Sequence, residues 1–153
     1  MIMHYKNLTR REALKMAGTA VATGTILGVP SSGFAQKDPS KADLEIRMGE
    51  FYFQVVGKEK NAPIEIEAGK ELLVKFVNEG AIVHEAHFGN NFDSAKRLYK
   101  DLLMPGFHGL HLETKAQASL HLLIPADKKG EWEIGCLIPG HYEAGQKAKL
   151  IVK

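Results

Sequence analysis

From residue 44 onward the chain alternates apolar and polar side chains in short runs separated by turn residues. Leu44-Glu45-Ile46-Arg47-Met48 has period two, the spacing that places every second side chain on one face of a strand, and it reads as an edge or half-buried strand. Residues 50–56 continue with aromatic and β-branched positions and read as a second strand. Pro63-Ile64-Glu65-Ile66 runs into a turn at Gly69, and residues 71–78 form the next apolar run. Residues 119–124 and 131–136, on either side of a turn at 125–130, and a closing run at 147–152 complete the set. Short strands at close spacing with turns between them predict an all-β sandwich.

Between residues 84 and 120 that pattern breaks down. Asn90-Asn91-Phe92-Asp93-Ser94 supplies capping residue types ahead of 95–103, so a short helix is predicted there, ending before Pro105-Gly106. The segment reads as a partly helical insertion leaving directly from the strand that bears His84. An insertion of this size in a small sandwich is more often functional than idle.

At 153 residues, 25% charged and 44% hydrophobic, the chain is long enough for one globular domain plus an N-terminal extension. Thr9-Arg10-Arg11-Glu12-Ala13-Leu14-Lys15 resembles a twin-arginine export signal. A small-residue apolar run over 16–29 follows, then Pro30, with Gly33-Phe34-Ala35 offering small residues for cleavage after Ala35. Residues 1–35 are therefore expected to be a signal peptide, 36–43 a flexible polar leader, and 44–153 the folded domain, located in the periplasm. The apolar run is shorter than the ~20 residues a spanning helix needs, so no membrane span is expected once the signal is removed. The signal carries four basic residues and one acidic, which leaves 16 basic against 17 acidic and a net charge of −1. With no basic stripe or stacking-aromatic pattern, nucleic acid is not an expected partner.

The candidate chemistry lies in the last loop, Cys136-Leu137-Ile138-Pro139-Gly140-His141-Tyr142-Glu143-Ala144-Gly145-Gln146. Its cysteine is the only one in the chain, so no intramolecular disulfide forms. A thiolate and an imidazole five residues apart, with a Pro-Gly turn between them, can face one ion from a loop joining two strands. Thiolate suits Cu(I), imidazole suits either copper state, and a trigonal His2Cys set with a weak axial group is the electron-transfer copper geometry. A second histidine must come from elsewhere, and His84 offers it. Taken singly, Cys136 reads as a buried structural cysteine and His84 as a core histidine.

Phe76-Val77-Asn78-Glu79-Gly80-Ala81-Ile82-Val83-His84-Glu85-Ala86 together with Gly135-Cys136 and Pro139-Gly140-His141-Tyr142-Glu143-Ala144-Gly145-Gln146-Lys147 resembles the cupredoxin, or blue copper, family, most of all its periplasmic azurin- and plastocyanin-like bacterial members. The resemblance covers roughly residues 44–153. It implies a Greek-key β-sandwich that binds one copper ion through His84, Cys136 and His141 and acts as an electron carrier rather than an enzyme.

Two positions depart from the family pattern. Gln146 stands where relatives with this loop have an axial methionine; an amide oxygen is a harder donor and lowers the expected reduction potential. An exposed loop role for Gln146, or a Gly145 carbonyl on the axial side, are the alternatives. Glu85 stands where an asparagine braces the ligand loop, and its carboxylate could accept from the loop amides instead.

Leu137, Ile138 and Pro139 are expected to form an apolar rim at His141 for brief docking of a redox partner. His87, three residues after His84, falls on the opposite face of a strand. His108 and His111, with Met104, read as solvated loop residues or as a second, exchangeable copper site, and His121 reads as structural. Two further functions stand beside electron transfer: a periplasmic copper carrier or buffer using His87, His108, His111 and Met104, and a Cys–His enzyme with Cys136 as nucleophile and His141 as base.

Overall fold

A computed structural model describes residues 41–153; the expected signal peptide and residues 36–40 of the leader lie outside the described residues. Ten strands follow in order: β1 Leu44–Gly49, β2 Tyr52–Val55, β3 Ile64–Ile66, β4 Glu71–Asn78, β5 His84–Asp93, β6 Leu98–Leu102, β7 Leu110–Leu112, β8 Gln117–Leu123, β9 Gly130–Gly135 and β10 Lys147–Val152. One sheet runs β2-β1-β4-β8 and the other β3-β10-β9-β5-β6, with β7 pairing β5 outside that path. β1 is half-buried as its alternation predicts, and interior, since it pairs antiparallel with β2 and parallel with β4. Asp43, just before it, bonds to Leu73 through both its backbone amide and its carboxylate.

The core is what the alternation puts on inward faces. Ile46, Met48, Phe53, Val74 and Phe76 from the first sheet meet Ala86, Phe88, Ile134, Ala148, Leu150 and Val152 from the second. The same rule fixes the environment of the candidate ligand strand. Along β5, His84, Ala86 and Phe88 are buried while Glu85 and His87 are only partly so, so His84 points inward and its two polar neighbours point out.

The expected helix over 95–103 is absent: among the described residues there is no α-helix, and one 3-10 turn at Ala126–Lys128 is the only helical element. The segment is instead the tip and return strand of a hairpin. Asp93 accepts hydrogen bonds from the amides of Ala95 and Lys96, each at 3.1 Å, which would suit a helix cap, but Arg97 then takes φ +54° and ends any helical progression. Residues 98–102 pair antiparallel with β5, setting Tyr99 opposite Phe92 and Leu102 opposite Gly89. Tyr99, an aromatic that packs well on a pleated surface, is buried there. The capping residue types were the turn of a β-hairpin, and the sheet's pairing overrode local helix propensity. No helix among the described residues is long and apolar enough to cross a membrane.

Candidate metal centre

His84 opens β5, Cys136 follows β9, His141 lies mid-loop and Gln146 immediately precedes β10. The fold brings the first three together: one donor atom from each of His84, Cys136 and His141 lies within 4.8 Å of the others. Cys136 Sγ is 3.3 Å from His141 Nδ1, and the two imidazole rings have centroids 5.2 Å apart. All three residues are buried, His141 retaining 8% exposure. Gln146 is fully buried beside His84.

The loop reaches this arrangement through its own backbone. His141 donates to the Ile138 carbonyl, Ala144 to Gly140, Gly145 to Tyr142 and Gln146 to His141, while Cys136 donates to Gln146 at 3.0 Å and closes the loop at its base. Gly140 and Gly145 have φ of +88° and +101°, a region that side chains rarely enter, which accounts for the glycines in Pro-Gly-His and Ala-Gly-Gln.

Both ring nitrogens of His84 and both side-chain polar atoms of Gln146 are buried without a hydrogen-bond partner. Four orphaned polar atoms in one place would be costly in a site meant to stay without a ligand. Burial, and next the neighbouring His141, hold the His84 imidazole below the ordinary histidine range, so it is neutral with a lone pair to give. Burial raises the Cys136 thiol above its usual range, while the Glu85 amide donates to its sulfur at 3.3 Å and favours the thiolate. Two imidazoles, a thiol and an amide fit a copper ion.

Auracyanin from Roseiflexus castenholzii superimposes with a TM-score of 0.54 at 18% identity, over 71% of this chain and 94% of that one. Rusticyanin from Thiobacillus ferrooxidans gives 0.53 at 20% identity, over 71% of this chain and 76% of its own. The fold is that of the cupredoxins. No family model matches the chain. In sequence, a copper-resistant cuproprotein, CopI of Rubrivivax gelatinosus, is 30% identical over 95 residues, 60% of this chain. The match spans 58% of that protein's length.

Around the His84–Cys136–His141 cluster several residues do work that the sequence did not announce. The two-residue turn between β1 and β2 reaches the site with both members. Glu50 Oε1 accepts from the Ala81 amide at 2.5 Å and stands 3.8 Å from His84 Nε2. Phe51, at φ +66° and 44% exposed, sets its ring edge-on against His141 at 5.8 Å. Gly80 is tied to the same corner, since a Cβ there would sit 2.6 Å from His84 Nε2 and 2.7 Å from Glu50 Oε1.

Arg97, expected within a helix, instead clamps the metal loop. Its Nε donates to the Leu137 carbonyl and its Nη2 to the Ile138 carbonyl, both at 2.8 Å, and Nη1 pairs with Glu143 at 2.5 Å. Beneath the loop, Glu133 Oε1 accepts from both Tyr99 and Tyr142, at 2.7 and 2.6 Å. Burial and that carboxylate push both phenols upward, so they remain donors. Removing the clamp by Arg97→Ala is expected to cost about 1.5–3 kcal/mol in urea unfolding, the range for hydrogen bonds to a charged group, and to speed amide exchange at His141.

Two expectations about neighbouring residues are corrected. Glu85 does not brace the loop with its carboxylate, which contacts His87 and His111; only its backbone amide reaches Cys136. Asn78, fully buried, braces the segment leading to His84 instead: its Nδ2 donates to the carbonyls of Ile82, Leu112 and Glu113 and its Oδ1 accepts from Gly80. Asn78→Ala strands these groups and should destabilise by about 1–3 kcal/mol on denaturant unfolding. Leu137 is also not part of an exposed rim, because it is buried at 4%. Pro139 is exposed and Ile138, which packs against the core, only partly so, while Phe51 and Ile82 add apolar surface on neighbouring turns.

Proposed function

We propose that this chain is a periplasmic mononuclear copper protein that passes single electrons between redox partners, with His84, Cys136 and His141 as ligands and Gln146 on the axial side. The observation that carries the reading is the convergence of a thiol and two imidazoles beside a fully buried, partnerless glutamine amide. Copper supplies a one-electron couple when bound. The residues supply the rest: a donor set positioned before the metal arrives, a buried centre that excludes water, and an amide hydrogen bond on the thiolate. Asn78 and Arg97 fix the two ligand-bearing segments from opposite ends, which keeps ligand movement small between oxidation states.

His141 is the ligand nearest the surface, and Phe51, Ile138 and Pro139 near it give a partner an apolar landing area of the small kind that suits brief encounters. The twin-arginine pattern of the N-terminus supports the periplasmic placement. A nucleophilic role for Cys136 fits poorly, since its sulfur is fully buried and burial disfavours its thiolate when no metal is bound. Stopped-flow reduction and reoxidation of the copper-loaded protein tests the carrier reading. Reversible one-electron cycling supports it, and copper that cannot be cycled without loss from the protein sinks it.

A second reading, copper handling for resistance, is favoured by the CopI similarity and by histidines on the outer face of β5 and β7. It predicts that the protein hands its copper to an acceptor chelator or protein without redox turnover.

A further inference from the structure

A second group of donors lies on the solvent side of β5 and β7, separate from the buried centre. Glu85 and His87 are two residues apart on one strand and so share a face, and the antiparallel register sets Glu85 directly opposite His111. His87 Nε2 is 3.0 Å from Glu85 Oε2, and His111 Nδ1 is 3.3 Å from Glu85 Oε1. The second nitrogen of His111 faces Glu113 Oε1 at 3.5 Å. The side chains of Glu85, His87 and His111 are 25%, 22% and 56% exposed, so the group opens to solvent.

The position of His87 is built in. Its ring lies across Gly109, where a Cβ would fall 2.4 Å from His87 Cε1, and Gly109 has φ +116°. A side chain at 109 would push the imidazole off the group.

We propose that Glu85, His87 and His111 form an exchangeable surface site for a divalent ion of the Zn(II) or Cu(II) class. Two imidazoles and a carboxylate are a donor set those ions take, whereas Mg(II) and Ca(II) prefer oxygen alone. The ion replaces the two histidine–carboxylate contacts. These are partly exposed side-chain contacts, within reach of water that can replace them, so giving them up costs little. The imidazoles now meet different oxygens of one carboxylate, and the more exposed His111 is the arm that must swing to close on an ion. Glu113 then holds the outer nitrogen of His111, as carboxylates commonly do behind a metal-bound imidazole.

Neither His108 nor Met104 belongs to the group. His108 is exposed and makes no hydrogen bond or ion pair with Glu85, His87 or His111, and Met104 packs partly buried against the core. The site gives the copper-handling reading a place to load or release an ion, and its own binding step does not depend on the buried centre.

The test is a Zn(II) titration of the full chain followed by imidazole NMR, comparing the natural sequence with His87→Ala, His111→Ala and His108→Ala. The expected result is a joint shift of the His87 and His111 signals. Affinity for that step should fall roughly tenfold or more in either of the first two variants and stay unchanged in the third. Unchanged His84 and His141 signals in the variants before zinc is added show that the fold is kept. Zinc shifts confined to His84 and His141, or affinity unchanged in both His87→Ala and His111→Ala, overturn the proposal. Because the buried centre reports through its own two histidines, its failure to bind metal is read separately.

Discussion

Replacing Cys136 with serine is expected to erase any intense visible absorption of the copper-loaded protein and to cut copper affinity by more than the roughly 10–100-fold that loss of an outer-shell partner costs. The absorption arises from charge moving between thiolate sulfur and copper, and a hydroxyl oxygen offers neither the softness nor the energy match. The chain has no other cysteine to take over. Serine is close to isosteric, and its hydroxyl can still meet the Glu85 amide and His141, so the sandwich should fold. Unchanged far-ultraviolet circular dichroism would separate loss of the ligand from loss of the fold. Persistent strong colour in the serine variant would mean that Cys136 is not the ligand.

The second large effect concerns the axial side. Gln146→Met is expected to raise the reduction potential by at least ~60 mV, which is a tenfold change in a one-electron equilibrium. A thioether favours Cu(I), while an amide oxygen favours Cu(II). The loop itself should tolerate the change, because Gln146 is held by backbone bonds, its amide to His141 and its carbonyl to Cys136, and the side chain makes none. A methionine of similar length occupies the same buried space. Voltammetry of both proteins measures the shift. An unmoved potential would show that the side chain does not touch the metal and would pass the axial position to the Gly145 carbonyl.

Much of this centre was legible because its signals are local and chemical. Cys136, His141 and the two loop glycines sit within a few residues of one another, and the loop's backbone bonds are short-range. His84 became legible through the Phe-Val-Asn segment ahead of it, and the period-two alternation of β1, β4 and β10 carried the sandwich. What could not be read depends on contacts distant in sequence. Arg97 reaches a loop 40 residues away, and its run of helix-compatible residues says nothing of that. Asn78 bonds carbonyls 34 and 35 residues on, so the motif position was visible but its task was not.

Glu85 shows the same limit from the other side. Its proximity to His84 suggested a bracing carboxylate, yet strand geometry turns that carboxylate outward to His87 and His111 and leaves the amide to face the sulfur. Glu50 and Phe51 read as the start of the second strand, but that strand begins at Tyr52 and the two residues form the turn ahead of it. The pairing of β1 with β2 is what carries that turn to the ligands.

Every function proposed for this protein rests on one copper ion held by His84, Cys136 and His141 in a buried thiolate centre. A Cu(II) titration of the chain from Gln36 onward, followed by visible absorption and electron paramagnetic resonance, addresses it directly. Intense thiolate-to-copper absorption is expected to saturate at one equivalent, with the narrow copper hyperfine splitting of a trigonal thiolate site. Further copper, if taken up by the outer histidines, should add only a weak, ordinary Cu(II) signal. An ordinary Cu(II) spectrum from the first equivalent onward, with no strong absorption at any stage, would contradict it.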